Sequence, residues 1–232
     1  MTRLDRLIAN LGYGTRAEVA KIIAAGAVTI NNTTVFDRSM SVDASLVMIE
    51  GAALDHPGRL LVMLNKPIGY VCSHDDSEGA RAYDLLPDRW MRRNPRVESV
   101  GRLDKDSSGL LLLTDDHSLL HRLTSPKHHV PKRYTLTLDV PADESIVARF
   151  ASGALLIDGD SKPCLPAPLT LGVGAAAEVV LTEGRYRQVR RMFSACGRAV
   201  VTLHRTHVGD HALGELQPGE FRVIEDLDSS VK

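Results

Sequence analysis

The chain has 232 residues, 44% hydrophobic and 25% charged, a composition that excludes the disordered and fibrous classes. No run approaches the roughly eighteen apolar residues of a membrane span, and the opening Met1-Thr2-Arg3-Leu4-Asp5 lacks an apolar signal core. Three scattered cysteines (Cys72, Cys164, Cys196) form neither a CxxC pair nor a disulfide framework, so a reducing cytoplasm is expected. The net charge of −1 by itself favours no polyanionic partner.

Leu4, Leu7, Ile8 and Leu11 fall on one face of an amphipathic helix that Gly12 and Gly14 end. Thr15-Arg16-Ala17-Glu18 fits a capping box, Val19, Ile22 and Ile23 give the second helix its apolar face, and Gly26 suits its left-handed end. Short strands are expected at Val28–Ile30, Val35-Phe36 and Leu46–Ile49, with a turn at Asn31-Asn32 and a linker over 51–59. The boundary is set at residue 56, giving units 1–56 and 57–232.

Beyond it the pattern is mainly strands: Leu60–Leu64, Tyr70–Cys72, Val97–Val100, Leu110–Leu113, Arg133–Val140, Val179–Leu181, Ala199–Leu203 and Phe221–Ile224. Helices are expected at 116–124, 142–152 and 185–196. Strands with helices set between them, without regular βαβ alternation, predict an α+β fold: a mixed, mainly antiparallel sheet with flanking helices behind a small helical/β module.

Charge is unevenly placed. Residues 182–211 carry six arginines against two acids, and 96–133 carry seven Lys/Arg against five, whereas 135–181 and 212–232 are acidic. Two basic blocks on a near-neutral chain suggest a local anionic partner, although solvated surface faces are the bland alternative. On a helix, Arg187, Arg190, Arg191 and Ser194 share one face and Val189, Met192, Phe193 and Cys196 the buried one. Four arginines within seven residues repel one another unless anions lie nearby, as RNA phosphates or partner carboxylates. The loop Gly101-Arg102-Leu103-Asp104-Lys105-Asp106-Ser107-Ser108-Gly109 sets two aspartates, two hydroxyls and an arginine between apolar strands. Such a loop is commonly only a structured turn. Strand ends, however, hold a carboxylate rigidly, and an adjacent arginine favours the ionised form of an acid. Tyr134 after Pro131-Lys132-Arg133 and the turn Lys66-Pro67-Ile68-Gly69-Tyr70 complete the candidates. His117, His121, His128 and His129 lack partners at metal spacing, so no metal is expected.

Together these stretches resemble the small-subunit rRNA pseudouridine synthases along nearly the whole chain. Residues 3–50 resemble an S4 RNA-binding domain, and Met63–Ser73 the family's first motif. Gly101-Arg102-Leu103-Asp104 with Asp106–Asp116 resembles the catalytic motif, and Glu183–Phe193 the third. The resemblance implies cofactor-free isomerisation of uridine to pseudouridine in a flipped-out nucleotide, with Asp104 as the catalytic carboxylate. Arg190 is implied as its paired cation, Arg102 as the group that fills the gap left by the flipped base or holds RNA backbone, Tyr134 as a stacking residue and a candidate for proton removal at C5, and Met192 or Phe193 as an apolar wall. Arg16, Lys66, Lys132, Arg133, Arg185, Arg187 and Arg191 are the implied RNA contacts. The stretch Thr124–His129 ahead of Lys132-Arg133-Tyr134 is most similar to enzymes acting on U516 of 16S rRNA. The implied partner is 16S rRNA or a small-subunit assembly intermediate, met by a monomer. Activity on 23S rRNA, a non-catalytic RNA-binding assembly factor and a two-carboxylate glycosidase are the competing readings.

Overall fold

The computed structural model describes residues 1–225. Its N-terminal unit follows from local rules. After β1 (Thr2–Arg3), helix α1 (Leu4–Asn10) buries Leu4, Leu7 and Ile8. Helix α2 (Arg16–Ala24) opens with the expected capping box: the Glu18 amide donates to Thr15 Oγ1 (3.3 Å) and the Thr15 amide to Glu18 Oε2 (2.7 Å). Strands β2 (Val28–Ile30), β3 (Thr33–Thr34), β5 (Val47–Ile49) and β6 (Ala52–Ala53) pair in the order β3-β2-β5-β6, while β4 (Ser41–Val42) pairs with β1.

Two expectations here need correction, and both errors lie in hairpins. Asn31 and Asn32 are both left-handed, so the hairpin turns in two residues and pairing begins at Thr33, ahead of Val35-Phe36. Glu50 and Gly51 are likewise left-handed and return the chain into β6, so the first residues of the expected linker belong to the small sheet.

The larger unit is built on one nine-stranded sheet. Its strands are β7 (Leu61–Lys66), β8 (Glu98–Ser99), β9 (Ser108–Thr114), β10 (Lys132–Leu138), β11 (Leu169–Leu171), β12 (Ala176–Leu181), β13 (Val200–Val208), β14 (His211–Ala212) and β15 (Phe221–Val223). The order is β11-β12-β10-β13-β9-β7-β15, with β14 on β13 and β8 on β9; only β13 and β9 run parallel. Every residue of β7 is buried, as its unbroken apolar run implies, because the sheet's centre is covered on both faces. Helices α4 (Glu144–Ala151) and α5 (Gln188–Ser194) pack into the larger cluster through Ile146, Phe150, Val189, Met192 and Phe193. Helix α3 (His117–Thr124) closes the other face with Leu119 and Leu123.

Two local features shape the sheet's centre. Gly109 has φ +104°, and a Cβ there would lie 2.2 Å from the Arg205 carbonyl oxygen, so glycine is what lets β9 approach β13. The β10–β13 register shifts between Arg133 and Tyr134, an irregularity of the kind that re-aims side chains beside active sites. The expected strand at Tyr70–Cys72 reduces to a single bridge from Val71 to Arg81.

The units meet through paired polar groups. Trp90 Nε1 donates to Asp55 (3.0 Å), the Asn94 amide to the Asn10 carbonyl (2.8 Å), and the Arg89 guanidinium sits 4.5 Å above the Tyr13 ring. Arg93, buried, donates to Asp115 (2.7 Å) and to the carbonyls of His56 and Gly58. No helix among the described residues is long and apolar enough to cross a membrane.

Candidate active site

The loop between β8 and β9 turns at Gly101, in the left-handed region, and again where the Ser107 amide donates to the Asp104 carbonyl (3.1 Å). It is held from several sides. The Gly69 amide donates to the Lys105 carbonyl (2.8 Å) and the Leu103 amide to Cys72 Sγ (3.4 Å), both from the segment after β7. From α5, Arg190 donates to the Asp106 carbonyl (2.9 Å), and from β13, Arg205 donates to the Arg102 carbonyl (3.4 Å). Three distant stretches thus converge on one loop, and the Asp104 backbone is fixed before any substrate arrives.

Asp104 lines a cavity of about 390 Å³, within the usual range for ligand sites. Its walls include Arg102, Lys132, Tyr134, Tyr186, Arg187 and Arg205, with apolar contributions from Leu103, Leu123, Leu181, Val189 and Leu203. Arg187 is the cation beside the carboxylate: Nη1 lies 3.9 Å from Asp104 Oδ2, while Nη2 donates to Asp106 (2.6 Å). Burial acts to raise the Asp106 carboxyl. The Arg187 hydrogen bond and the charges of Arg190 and Arg187 outweigh it and hold Asp106 below the usual carboxylate range. A more open hollow of about 500 Å³ over β10, β11, β12 and β13 is lined by four threonines, Glu178, His204 and small or apolar residues. No set of three or more metal-ligating side chains occurs among the described residues.

With this geometry in view, the comparisons are decisive. A family model described as RNA pseudouridylate synthase matches residues 60–195, and one for the S4 domain matches residues 2–47. The chain belongs to the RNA pseudouridylate synthase family. A Haemophilus influenzae protein named ribosomal small subunit pseudouridine synthase A is 40% identical over 99% of this chain and 100% of its own. An uncharacterized RNA pseudouridine synthase of Bacillus subtilis is 38% identical over 97% of this chain and 95% of its own. A crystal structure of a pseudouridylate synthase aligns with TM-score 0.67 at 38% identity, covering 97% of this chain and 96% of that one. The expected α+β architecture with an N-terminal S4 domain is therefore the family's.

Within this pseudouridylate synthase fold, Arg102, Asp104, Lys132, Tyr134, Arg185 and Arg187 line one cavity, and the other expected site residues stand elsewhere. Arg190 does not pair with Asp104. On α5, which begins at Gln188, Arg190 spends its guanidinium on the Val200 carbonyl (2.7 Å) and on Asp106. Arg187 is not on the helix but on left-handed backbone at its cap, so the expected face of Arg187, Arg190, Arg191 and Ser194 does not form.

Met192 and Phe193 are fully buried in the core, Phe193 against the Phe150 ring, and form no cavity wall. Lys66 is fully buried and donates to the carbonyls of Pro67 and Tyr70 (2.9 Å each), so it holds a turn instead of reaching RNA. Burial pushes its ammonium below the usual value against the pull of Cys72 and of the Asp104 carboxylate. Arg185 and Arg191 are both bound to Asp160 (2.9 and 2.6 Å), which staples α5 to the loop before β11. Lys132 faces the cavity instead of the outer surface; Arg133 is paired with Glu178 (2.9 Å), and Arg16 is exposed on α2.

Sequence reasoning missed Arg205, which is 1% exposed at the cavity floor, and Tyr186, 77% exposed at its mouth. Arg205 stands two residues after Leu203, on the same strand face, and that spacing was a readable signal. Arg122 and Lys127 are exposed beside the Ser125-Pro126 wall.

Proposed function

We propose that this enzyme isomerises uridine to pseudouridine in 16S ribosomal RNA of the small subunit, at U516, with Asp104 as the catalytic carboxylate and without a cofactor. The observation that carries the reading is Asp104 on the wall of a cavity large enough for a base, across from a nine-tenths buried Tyr134 and beside Arg187. The names of the relatives support the small-subunit target, and the target nucleotide is a reading of Thr124–His129, of which Thr124, Ser125 and Pro126 line the cavity.

The flipped uridine enters with its ring against Tyr134, a stacking contact worth about 1–3 kcal/mol that retains the base after its bond is cut. Asp104 acts at the sugar, either bonding to C1′ or removing a C2′ proton. Arg187 holds the carboxylate toward the ribose, and Arg190 holds the loop that carries it. Arg102, exposed at the rim, occupies the gap the base leaves. Extrusion costs a few kcal/mol, which contacts from Arg122, Lys127 and the S4 domain to the RNA backbone offset. The protein acts as a monomer in the cytoplasm on 16S rRNA or a small-subunit assembly intermediate.

The test is Asp104→Asn against the native enzyme, on 16S rRNA and on small-subunit particles, with pseudouridine mapped at nucleotide resolution. The variant is expected to form none while keeping RNA affinity within about twofold, because one neutral-for-charged swap on the protein removes no phosphate contact. A variant that still modifies the RNA overturns the assignment. Release of free uracil by the native enzyme supports the glycosidase reading, and a native enzyme that binds RNA and alters nothing supports the assembly-factor reading.

A further inference from the structure

Most charges around the cavity are paired off. Glu183 is taken by Arg185 (3.1 Å) and Gln188 (2.6 Å), Arg185 also by Asp160, and Arg187 by Asp106 and Asp104. Lys132 and Arg205 have no carboxylate within ion-pair distance among the described residues, yet both line the cavity. They flank the stacking residue: Arg205 is the cross-strand partner of Tyr134, and Lys132 stands two residues before it on β10. Arg205 donates through Nε to the Leu110 carbonyl (2.7 Å) and weakly to Arg102, and its Nη2 is buried with no partner. Lys132 gives one hydrogen bond, to the Val130 carbonyl (2.9 Å). Two enclosed cations without a counterion are costly unless a ligand brings negative charge.

A flipped uridine is neutral, and its phosphates stay on the RNA backbone. The base itself becomes negative only when the N1–C1′ bond breaks and its electron pair leaves with N1, just as the Asp104 carboxylate loses its own charge. Asp104 is then neutralised as an ester at C1′ or as an acid holding the C2′ proton, and uracil carries the charge over N1, O2 and O4. Re-attachment through C5 releases the C5 proton and N1 gains one, so no co-reactant is consumed.

We propose that Lys132 and Arg205 form the anion site for the detached uracil, holding its charge between cleavage at N1 and re-attachment at C5 while Tyr134 holds its face. The proposal rests on the role of Asp104 given above. Burial, and then the charge of Arg205, lower the Lys132 ammonium to about 8, so the site keeps most of its charge at neutral pH and loses it in mild alkali.

Single-turnover conversion of the target RNA by Lys132→Met, Lys132→Gln and Lys132→Arg tests this. Met and Gln variants are expected to slow conversion by about 10²-fold, the usual effect of removing one donor to a developing anion, while RNA affinity and its salt dependence hold. Lys132→Arg is expected to restore most of the rate. With 5-fluorouridine at the target the leaving base carries negative charge more easily; C5 then has no proton to release, so loss of the N1–C1′ bond is followed on both bases, and the gap between native and Lys132→Met narrows. The native rate declines as pH rises through about 8, whereas Lys132→Arg holds its rate there.

An unchanged rate in both neutral variants overturns the proposal, as does an equal gap on both bases. A loss confined to affinity, with the salt slope lowered by about one, overturns it in favour of a phosphate contact. If Lys132→Met does not fold, Lys132→Gln, which keeps a polar group over Val130, decides. A native enzyme that makes no pseudouridine instead removes the Asp104 reading itself, before any Lys132 variant is compared.

Discussion

At position 187 a long cationic side chain is carried on left-handed backbone, φ 46°, a region that costs an L residue about 1–2 kcal/mol. Such a conformation persists where its surroundings hold it, here the Asp106 and Asp104 carboxylates on one side and the start of α5 on the other. Glycine and alanine at 187 separate charge from backbone. Both remove the guanidinium, and both are expected to lower the single-turnover rate tenfold or more, about 1.4 kcal/mol of lost positioning. Only glycine relieves the backbone, so Arg187→Gly is expected to be about 1 kcal/mol more stable than Arg187→Ala in urea denaturation. Equal stabilities refute the strain; equal activity to native refutes the role.

The same scale shows what a sequence reveals of a site. That Asp104 stands on a turn between two strands was legible, because a loop dense in Asp, Ser and Gly between apolar runs is a local pattern; that it lines a cavity was not in that pattern. The fate of Arg185 and Arg191 was not, because their partner Asp160 lies 25 and 31 positions away. Charge counting records cations and says nothing of which are already neutralised.

At the scale of elements, period-two alternation located β10, and continuous apolar runs located β7 and β9, because in each the side-chain pattern reports directly on which faces are buried. The readings that moved did so at turns. The 3.6-residue period placed α5 from residue 185, but the periodicity of Val189, Met192 and Phe193 carries no information on where the backbone leaves the helix. Gly109 offers a test of how closely the sheet must close around the loop. Gly109→Ala meets both a positive φ and the Arg205 backbone at 2.2 Å, whereas Gly174→Ala meets a positive φ with nothing within 4 Å. The first is expected to destabilise by about 3 kcal/mol or more and the second by about 1, measured as differences in urea unfolding. In Gly109→Ala, Arg205 is also displaced, so activity is expected to fall at temperatures where the protein is still folded. A Gly109→Ala protein no less stable than Gly174→Ala rules out the close approach of β9 and β13.

For the molecule as a whole, charge and shape are divided between the two units. Residues 1–56 hold five Lys/Arg against six acids, and Arg3 is already bound to Asp5 (2.9 Å), so this unit contributes to RNA binding more by the surface it presents than by net attraction. Deleting residues 1–56 is therefore expected to weaken RNA binding while changing its salt dependence little, and to leave a cooperatively folded sheet domain. The deletion has an internal control. Asp55 accepts Trp90 Nε1, and the His56 carbonyl accepts Arg93, both groups of the larger unit that are otherwise buried. Leaving such donors unpaired costs about 1–3 kcal/mol. A piece spanning 57–232 should then melt about 2–12 °C below one spanning 55–232, at about 2–4 °C per kcal/mol for a domain of this size. Scanning calorimetry of the two pieces decides the point: equal melting temperatures show that Asp55 and His56 do not hold the joint, and the absence of a cooperative transition in both shows that the sheet domain needs the first unit to fold.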